Sequence, residues 1–392
     1  MKHLVLCFGI AAIVAGCASR GGQRTQWTRL HSGEPTPPVA ASTNHSKTSD
    51  SARPLNGVSV PGETSKSSGT LPAQRVPGWS GGKWLRLSDW AKSSLGATPR
   101  LIANGSGSAF SIETALGTVV LTPATRVAVF EGVTFWLGFA PVWSEGDCLV
   151  HELDLNKNVR PLLTQMPGGL PRRGKVVIDP GHGGGNLGTR SVLPGLLEKD
   201  LTLDWALRLE PLLQRQGWEV VLTRRDDRDL SLAERVQVAD RCGADLFLSL
   251  HFNSAFPQTE QAGLETFCLT PVGLPSTLTR NYEDDETRVF PNNAYDEDNL
   301  RYAVRLHRAL LQDVGMADRS VRRARFMGVL RSQRRPAVLI EAGYLSNPEE
   351  AGRAATPEYR QRLAEAVASG LATPPTLASA AVGYRQQAER DE

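Results

Sequence analysis

The chain has 392 residues, enough for two domains once flexible parts are set aside. Its formal net charge is +3 and it has no long basic block, so nucleic acid is not expected as a partner. Of its five cysteines none forms a Cys-x-x-Cys pair, which argues against a cysteine-rich zinc site; Cys7 and Cys17 sit near the start, leaving Cys148, Cys242 and Cys268.

Lys2 and His3 precede an apolar stretch, Leu4 to Val14. It is too short to span a bilayer but suits a signal peptide over 1–17. It ends in Val14-Ala-Gly-Cys17, which resembles a bacterial lipobox. Small residues there let a signal peptidase reach the backbone, and the resemblance implies that Cys17 takes the lipid. Ala18, rather than Asp, then implies the outer membrane, with the protein facing the periplasm. From 18 to 82 the chain is rich in Ser, Thr, Pro and Gly. Such a segment cannot bury enough surface to offset chain entropy, so a disordered tether is expected.

The texture changes at Lys83, and a small β-rich accessory domain is expected over 83–165. A short helix begins near Leu85, with Ser88 or Asp89 as cap. Strands are expected at 110–114, 118–122, 126–130, 134–137 and 149–153, with turns at Gly117 and Glu131-Gly132. The pattern resembles the accessory domain at the N-terminus of copper amine oxidases and of some bacterial wall proteins. That implies wall binding or a spacer. His151 reads as a strand residue rather than a ligand.

From 174 to 373 strands alternate with helices, followed by a flexible tail over 374–392. Val176 to Asp179 is the first strand, and a helix runs from Lys199 to Gln216 with Pro211 expected to bend it or break one backbone bond. Trp218 to Thr223 is the next strand. Ser231-Leu-Ala-Glu234 is a capping box that opens a second helix. Asp245 to Leu250 and Leu264 to Cys268 are strands, Asn299 to Val314 a helix. Met327 to Leu330 and Ala337 to Ile340 are read as strands, Glu358 to Leu371 as the closing helix. This order implies an α/β fold: a mainly parallel sheet with helices on both faces, preceded by the small β-rich domain.

In such sheets the site forms beyond the carboxyl ends of the strands. His182, His251 and Glu341 each follow an apolar run at that end, and Glu198 lies just before the first long helix. Two imidazoles and a carboxylate can hold a catalytic zinc ion with one position open for water. A further carboxylate can then take the proton of that water and pass it to a leaving nitrogen. Gly183-Gly-Gly-Asn-Leu-Gly188 formally fits a dinucleotide fingerprint, but no helix opens directly after it. His307 falls on an apolar helical stripe with Leu300, Val304 and Leu311 and reads as a packed histidine.

Six motifs then occur in a telling order: Ile178-Asp-Pro-Gly-His-Gly-Gly184, Glu198-Lys199, Leu222-Thr-Arg224, Ser249-Leu-His-Phe-Asn253, Gly263-Leu-Glu-Thr-Phe267 and Val338-Leu-Ile-Glu-Ala-Gly-Tyr-Leu-Ser-Asn347. This stretch resembles the zinc-dependent N-acetylmuramoyl-L-alanine amidases of the Amidase_3 type. The resemblance implies one zinc ion per chain held by His182, Glu198 and His251, with Glu341 as catalytic base. It also implies peptidoglycan as substrate, cleaved between N-acetylmuramic acid and L-alanine of the stem peptide. Asn186 departs from the usual Asp, and Tyr344 from the usual Phe; neither is expected to touch a ligand. Substrate carboxylates favour cationic neighbours, and Arg319, Arg322, Arg323 and Arg325 are candidates; Asn253 is a further substrate-contact candidate.

Two other readings compete: a lipid-anchored peptidoglycan-binding protein with a silent hydrolase fold, and a zinc deacetylase or peptidase acting on the same polymer. Beyond peptidoglycan, the expected partners are a membrane, through the lipid anchor, and a protein activator. The connection from Leu269 to Asp298 is long and holds the acidic clusters Glu283-Asp-Asp-Glu286 and Asp296-Glu-Asp298. It is read as a groove wall, with a zinc-blocking segment as the competing role.

Overall fold

The structure, a computed structural model, describes residues 82–104, 107–165, 173–279 and 282–372. The signal peptide, Cys17, the tail and all of the tether but Gly82 lie outside the described residues. The elements in chain order are β1 (Trp84–Arg86), α1 (Leu87–Leu95), β2 (Arg100–Asn104), β3 (Gly107–Thr114), β4 (Gly117–Leu121), β5 (Val127–Phe130), β6 (Val133–Trp136), β7 (Val142–Ser144) and β8 (Asp147–His151). A helical run follows: α2 (Glu152–Asp154), a π turn (Leu155–Val159) and α3 (Arg160–Leu163). Next come β9 (Lys175–Pro180), α4 (Glu198–Arg215), β10 (Glu219–Leu222), α5 (Leu232–Cys242), β11 (Leu246–Asn253) and β12 (Leu264–Cys268). A 3-10 turn (Pro291–Tyr295) leads into α6 (Asp296–Val314), β13 (Asp318–Arg323), α7 (Gly328–Arg331), β14 (Ala337–Tyr344), α8 (Pro348–Ala355) and α9 (Pro357–Ala372).

One eleven-stranded sheet organises the molecule, in the order β10-β9-β11-β14-β12-β13-β6-β5-β4-β3-β2. From β10 to β13 every neighbouring pair is parallel except β14 with β12. The expected strands of the N-terminal region are present, but they do not form a separate domain. β6 pairs parallel with β13 through Val321 and Phe135, and β5 to β2 continue as an antiparallel meander. The meander turns where expected: Glu131 and Gly132 both have positive φ, at 49° and 81°, as a tight hairpin requires.

The core explains the join. Trp205, Leu209, Leu306 and Leu363 of α4, α6 and α9 pack on Val176, Ile178, Leu248 and Ile340 of the sheet. The same cluster continues into Phe110, Ile112, Val119 and Phe135 of the meander. A smaller cluster covers the opposite face, where Ala239 of α5 and Leu330 of α7 meet Val177, Phe247, Phe267 and Leu339. Side chains alternate along a strand, so this second face also carries His251, Glu341 and Glu265, beyond the reach of the small cluster.

Three local expectations change. The run Met327 to Leu330 is not a strand; α7 covers it, and a short apolar run does not by itself distinguish a buried helix from a buried strand. β13 occupies residues to which no element was assigned and whose arginines were read only as cationic candidates for substrate contact. The first helix near the N-terminus starts at Leu87 with Arg86 at its cap, while Ser88 Oγ donates to Asp147 at 2.5 Å instead of capping. α4 runs through Pro211 without interruption.

Candidate active site

β9 ends in Asp179-Pro180, and the chain then turns sharply. His182, Gly183 and Gly184 all have positive φ, at 62°, 128° and 58°. His182 takes this sparsely populated conformation because its surroundings over-determine it. Buried Asp179 accepts from Thr223 Oγ1 at 2.6 Å, Arg235 Nη1 at 2.7 Å and Ser249 Oγ at 2.8 Å. Arg235 also donates to the carbonyls of Pro180, at 2.9 Å, and His182, at 2.7 Å. Arg224, buried as well, donates to the carbonyls of Pro180, Gly181 and Lys199 at 3.0, 2.8 and 2.7 Å. Two guanidiniums thus fasten the loop to β9 and to the first turn of α4. Gly181 leaves room for a ligand: a Cβ there would meet Cε1 of His251 at 2.2 Å.

Glu198 is the first residue of α4, not the residue before it, and a negative charge is favoured at that helix end. Its Oε2 accepts from Thr189 N at 2.6 Å and its Oε1 from Phe252 N at 3.0 Å. His251 and Glu341 lie within β11 and β14, three or so residues from their ends, rather than after them. They are register partners on adjacent strands, as the shared sheet edge implies.

The ligand atoms of His182, Glu198 and His251 all lie within 4.8 Å of one another. His182 Nε2 is 3.1 Å from Glu198 Oε2 and 3.2 Å from His251 Nδ1, which is 3.0 Å from Glu198 Oε1. A tetrahedral ion bound at about 2.0–2.1 Å sets its ligand atoms about 3.3 Å apart, so the three residues fit a zinc ion. His182 Nδ1 faces Asn186 Oδ1 at 2.9 Å. An amide oxygen only accepts, so Nδ1 carries the proton and Nε2 keeps its lone pair for a metal. Burial opposes the charge on Glu198, but hydrogen bonds and the fields of His182 and His251 outweigh it and hold the carboxyl well below its usual range. Burial likewise opposes protonation of His251, and Glu198, with Glu341 and Asp179 behind it, reverses this and raises its pKa. This is a site built to hold positive charge.

Glu341 lies outside the three-residue group, with 7 % of its surface exposed. Across the sheet its register partner on β12 is Glu265. Glu265 is buried and accepts from Asn253 Nδ2 and Tyr344 Oη, both at 2.8 Å; Arg322 Nε is 2.6 Å from its Oε1. Arg319 lies 4.0 Å from Glu265, and its guanidinium is 5.0 Å from the centre of the Tyr344 ring.

Several expectations are corrected by these contacts. Asn253 is buried and turned to Glu265, so it shapes the wall rather than presenting an amide to substrate. Arg323 and Arg325 are buried structural groups: Arg323 binds Asn158 and the Leu269 carbonyl, and Arg325 binds Asp284 at 2.7 Å. Asn186 does touch a ligand, His182, and Tyr344 touches Glu265. Asp179, Arg224, Arg235 and Glu265 had no assigned role, although all but Arg235 stand in motifs and Glu265 is a carboxylate inside an apolar strand. The acidic clusters are pinned elsewhere: Asp284 by Arg325 and Ser276, buried Asp296 by Lys157 at 3.2 Å. Among the described residues the metal group contains no carboxylate from 269–298. His307 is packed, as expected, between Thr266 Oγ1 and Asp318 Oδ1, each at 2.9 Å.

A family model described as N-acetylmuramoyl-L-alanine amidase, Amidase_3, matches residues 176–373. The chain belongs to this family. The sporulation-specific amidase of Bacillus subtilis is 34% identical over 199 residues, 50% of this chain and 66% of that protein. The germination-specific amidase of the same organism is 30% identical over 220 residues, 52% of this chain and 81% of that protein. Escherichia coli AmiA is 31% identical and is covered over 74% of its length. Among solved structures, the catalytic domain of CwlV from Bacillus (Paenibacillus) polymyxa is 31% identical, with 50% of this chain and 96% of that chain covered and a TM-score of 0.42. The N-terminal elements β1 to α3, the meander among them, lie outside the matched residues. By this membership the protein is an N-acetylmuramoyl-L-alanine amidase, a peptidoglycan hydrolase.

Proposed function

We propose that this amidase holds one zinc ion on His182, Glu198 and His251 and uses Glu341 as its base to cleave the bond between the lactyl group of N-acetylmuramic acid and L-alanine. The carrying observation is the convergence of the three ligand atoms beside Glu341 on the next strand. A zinc ion there supplies a Lewis acid and lowers the pKa of water towards neutrality. Glu341 takes the proton of the attacking water and returns it to the leaving nitrogen of L-alanine. Asn186 fixes the tautomer of His182, and Glu198, held by two backbone N–H groups, stays ionised. Arg319, partly exposed beside the wall, offers its charge to a stem-peptide carboxylate; Arg322, engaged by Glu265, supports that wall. A silent binding protein has no need of a complete ligand set with its base. Digestion of purified sacculi tests the reaction: released stem peptides with an L-alanine N-terminus are expected. New reducing ends or free acetate in their place would point to a glycosidase or a deacetylase.

The location rests on the lipobox-like Val14-Ala-Gly-Cys17 and the long polar stretch after it. Two or more acyl chains on Cys17 exceed the single chain that binds membranes only marginally. A flexible coil of about 65 residues reaches ~40–50 Å, from an outer membrane towards the wall. Among the described residues no helix is long and apolar enough to cross a membrane. Cys17→Ser should move the protein from the membrane to the soluble fraction with its specific activity intact; unchanged fractionation would refute the anchor. A protein activator in the envelope completes this proposal. The Clostridioides difficile CwlD amidase, 25% identical with a TM-score of 0.42 over 50% of this chain and 95% of that one, is solved in complex with the GerS lipoprotein.

A further inference from the structure

One row of side chains crosses five strands on the open face of the sheet. It starts at His251 on β11 and passes to Glu341 on β14 and Glu265 on β12, each the register partner of the one before. It continues to Arg322 on β13, whose Nε is 2.6 Å from Glu265. It ends on β6, where the Arg322 guanidinium lies 5.1 Å from the centre of the Trp136 ring. A second guanidinium, that of Arg126, lies 5.9 Å from the same ring centre, and its Nε donates to the Leu137 carbonyl at 2.9 Å.

Carboxylates directly opposite on neighbouring strands repel. Glu265 and Glu341 are such a pair, both largely buried, where charges are weakly screened. The Arg322 guanidinium offsets the charge of Glu265, and it can do so only while it stays against that carboxylate. A long side chain at the sheet face has many rotamers; the indole of Trp136 restricts them by its apolar surface and by attraction of the cation to the ring. We propose that Trp136 is a positioning residue of the amidase reaction: it holds Arg322 against Glu265, so that Glu341 is not driven from its working position. The N-terminal meander, which the family match does not include, thus supplies a working part of the catalytic wall. This inference rests on the assignment of Glu341 as base.

The test uses the full chain loaded with zinc and a soluble muropeptide bearing one intact amide. Trp136→Leu keeps apolar volume and removes the ring, and kcat should fall about three- to thirtyfold, the range of a lost cation–ring contact, with KM unchanged. Trp136→Phe should restore most of kcat. Glu265→Gln removes the opposing charge, so adding Trp136→Leu to it should cost little more. Melting temperatures of all variants identify any that fail to fold, and Trp136→Phe then carries the comparison of kcat with KM. A folded Trp136→Leu with wild-type kcat, a loss confined to KM, or the same loss in both backgrounds would overturn the proposal. Glu341→Gln in the same assay separates the two failures: if it kept wild-type turnover, the reading of the base would fall, whatever Trp136 does.

Discussion

From β9 through β11 and β14 to β12 the sheet consists of strands buried on both faces, and its polar groups are few, deep and multiply bonded. From β6 to β4 the strands alternate between buried and partly exposed residues, as an antiparallel meander with one covered face does. The first region spends its buried charges on geometry: Asp179, Arg224 and Arg235 hold the backbone around His182. The second is nearly free of such groups inside and is joined to the first by polar contacts at its border. There Asp318 Oδ2 accepts from Thr134 N at 2.8 Å, and Arg308 Nη2 of α6 donates to the Phe130 carbonyl at 3.5 Å. One sheet can therefore carry two kinds of construction, a rigid polar frame for chemistry and a conventionally patterned extension attached to it.

The sharpest test of the contrast is within the catalytic region. Glu341→Gln should lower turnover on sacculi by ~10²–10⁴-fold while the protein keeps one zinc per chain by elemental analysis. His182→Ala should lose the metal itself. If both variants kept zinc and activity, the catalytic region would have no privileged frame at all.

Arg235→Ala should come next in size, because it leaves the buried Asp179 carboxylate without its guanidinium partner. Breaking such a pair costs about 3–5 kcal/mol, read as a fall in urea midpoint, and zinc affinity should fall with it because the His182 carbonyl loses its donor. A variant with wild-type stability would mean that Arg224 alone holds the loop.

The smallest effect is at the border. Asp318→Ala removes acceptors for Thr134 N and His307 and should cost about 1–3 kcal/mol without changing kcat. Burial opposes the charge on Asp318, but His307 and Thr134 hold its pKa below the ordinary 3.8. Its contribution is therefore present above that value and is lost as pH falls through the lower, folded one. The wild-type protein should lose stability there on acidification, and the variant should lose less. Equal acid sensitivity in both would show that this carboxylate does not secure the border.

The four candidate site residues were legible because each follows an apolar run or opens a helix, a local signal for a costly buried polar group. The parallel order of the catalytic strands followed from their alternation with helices. What the sequence hid depends on register between distant segments. Asp318–Arg323 reads as a charged surface run, since nothing local says that β6, some 180 residues earlier, lies beside it. Glu265 looked like one more residue of a motif until its partner strand made it the neighbour of Glu341. Asn186 seemed a harmless departure because its contact with His182 needs a turn of left-handed residues. The separate accessory domain was inferred from composition, which marks a change of strand pattern but not a gap in the core.

The attachment of β6 also decides where the sheet ends. Without the meander, β13 would present its unpaired backbone groups to solvent, an open template for another chain's strand. Its sequence, Asp318-Arg-Ser-Val-Arg-Arg323, has the charges that discourage such pairing. With the meander in place that border becomes interior, and the exposed rim moves to β2, where Arg100 and the half-open strand behind it take over the guarding of the edge.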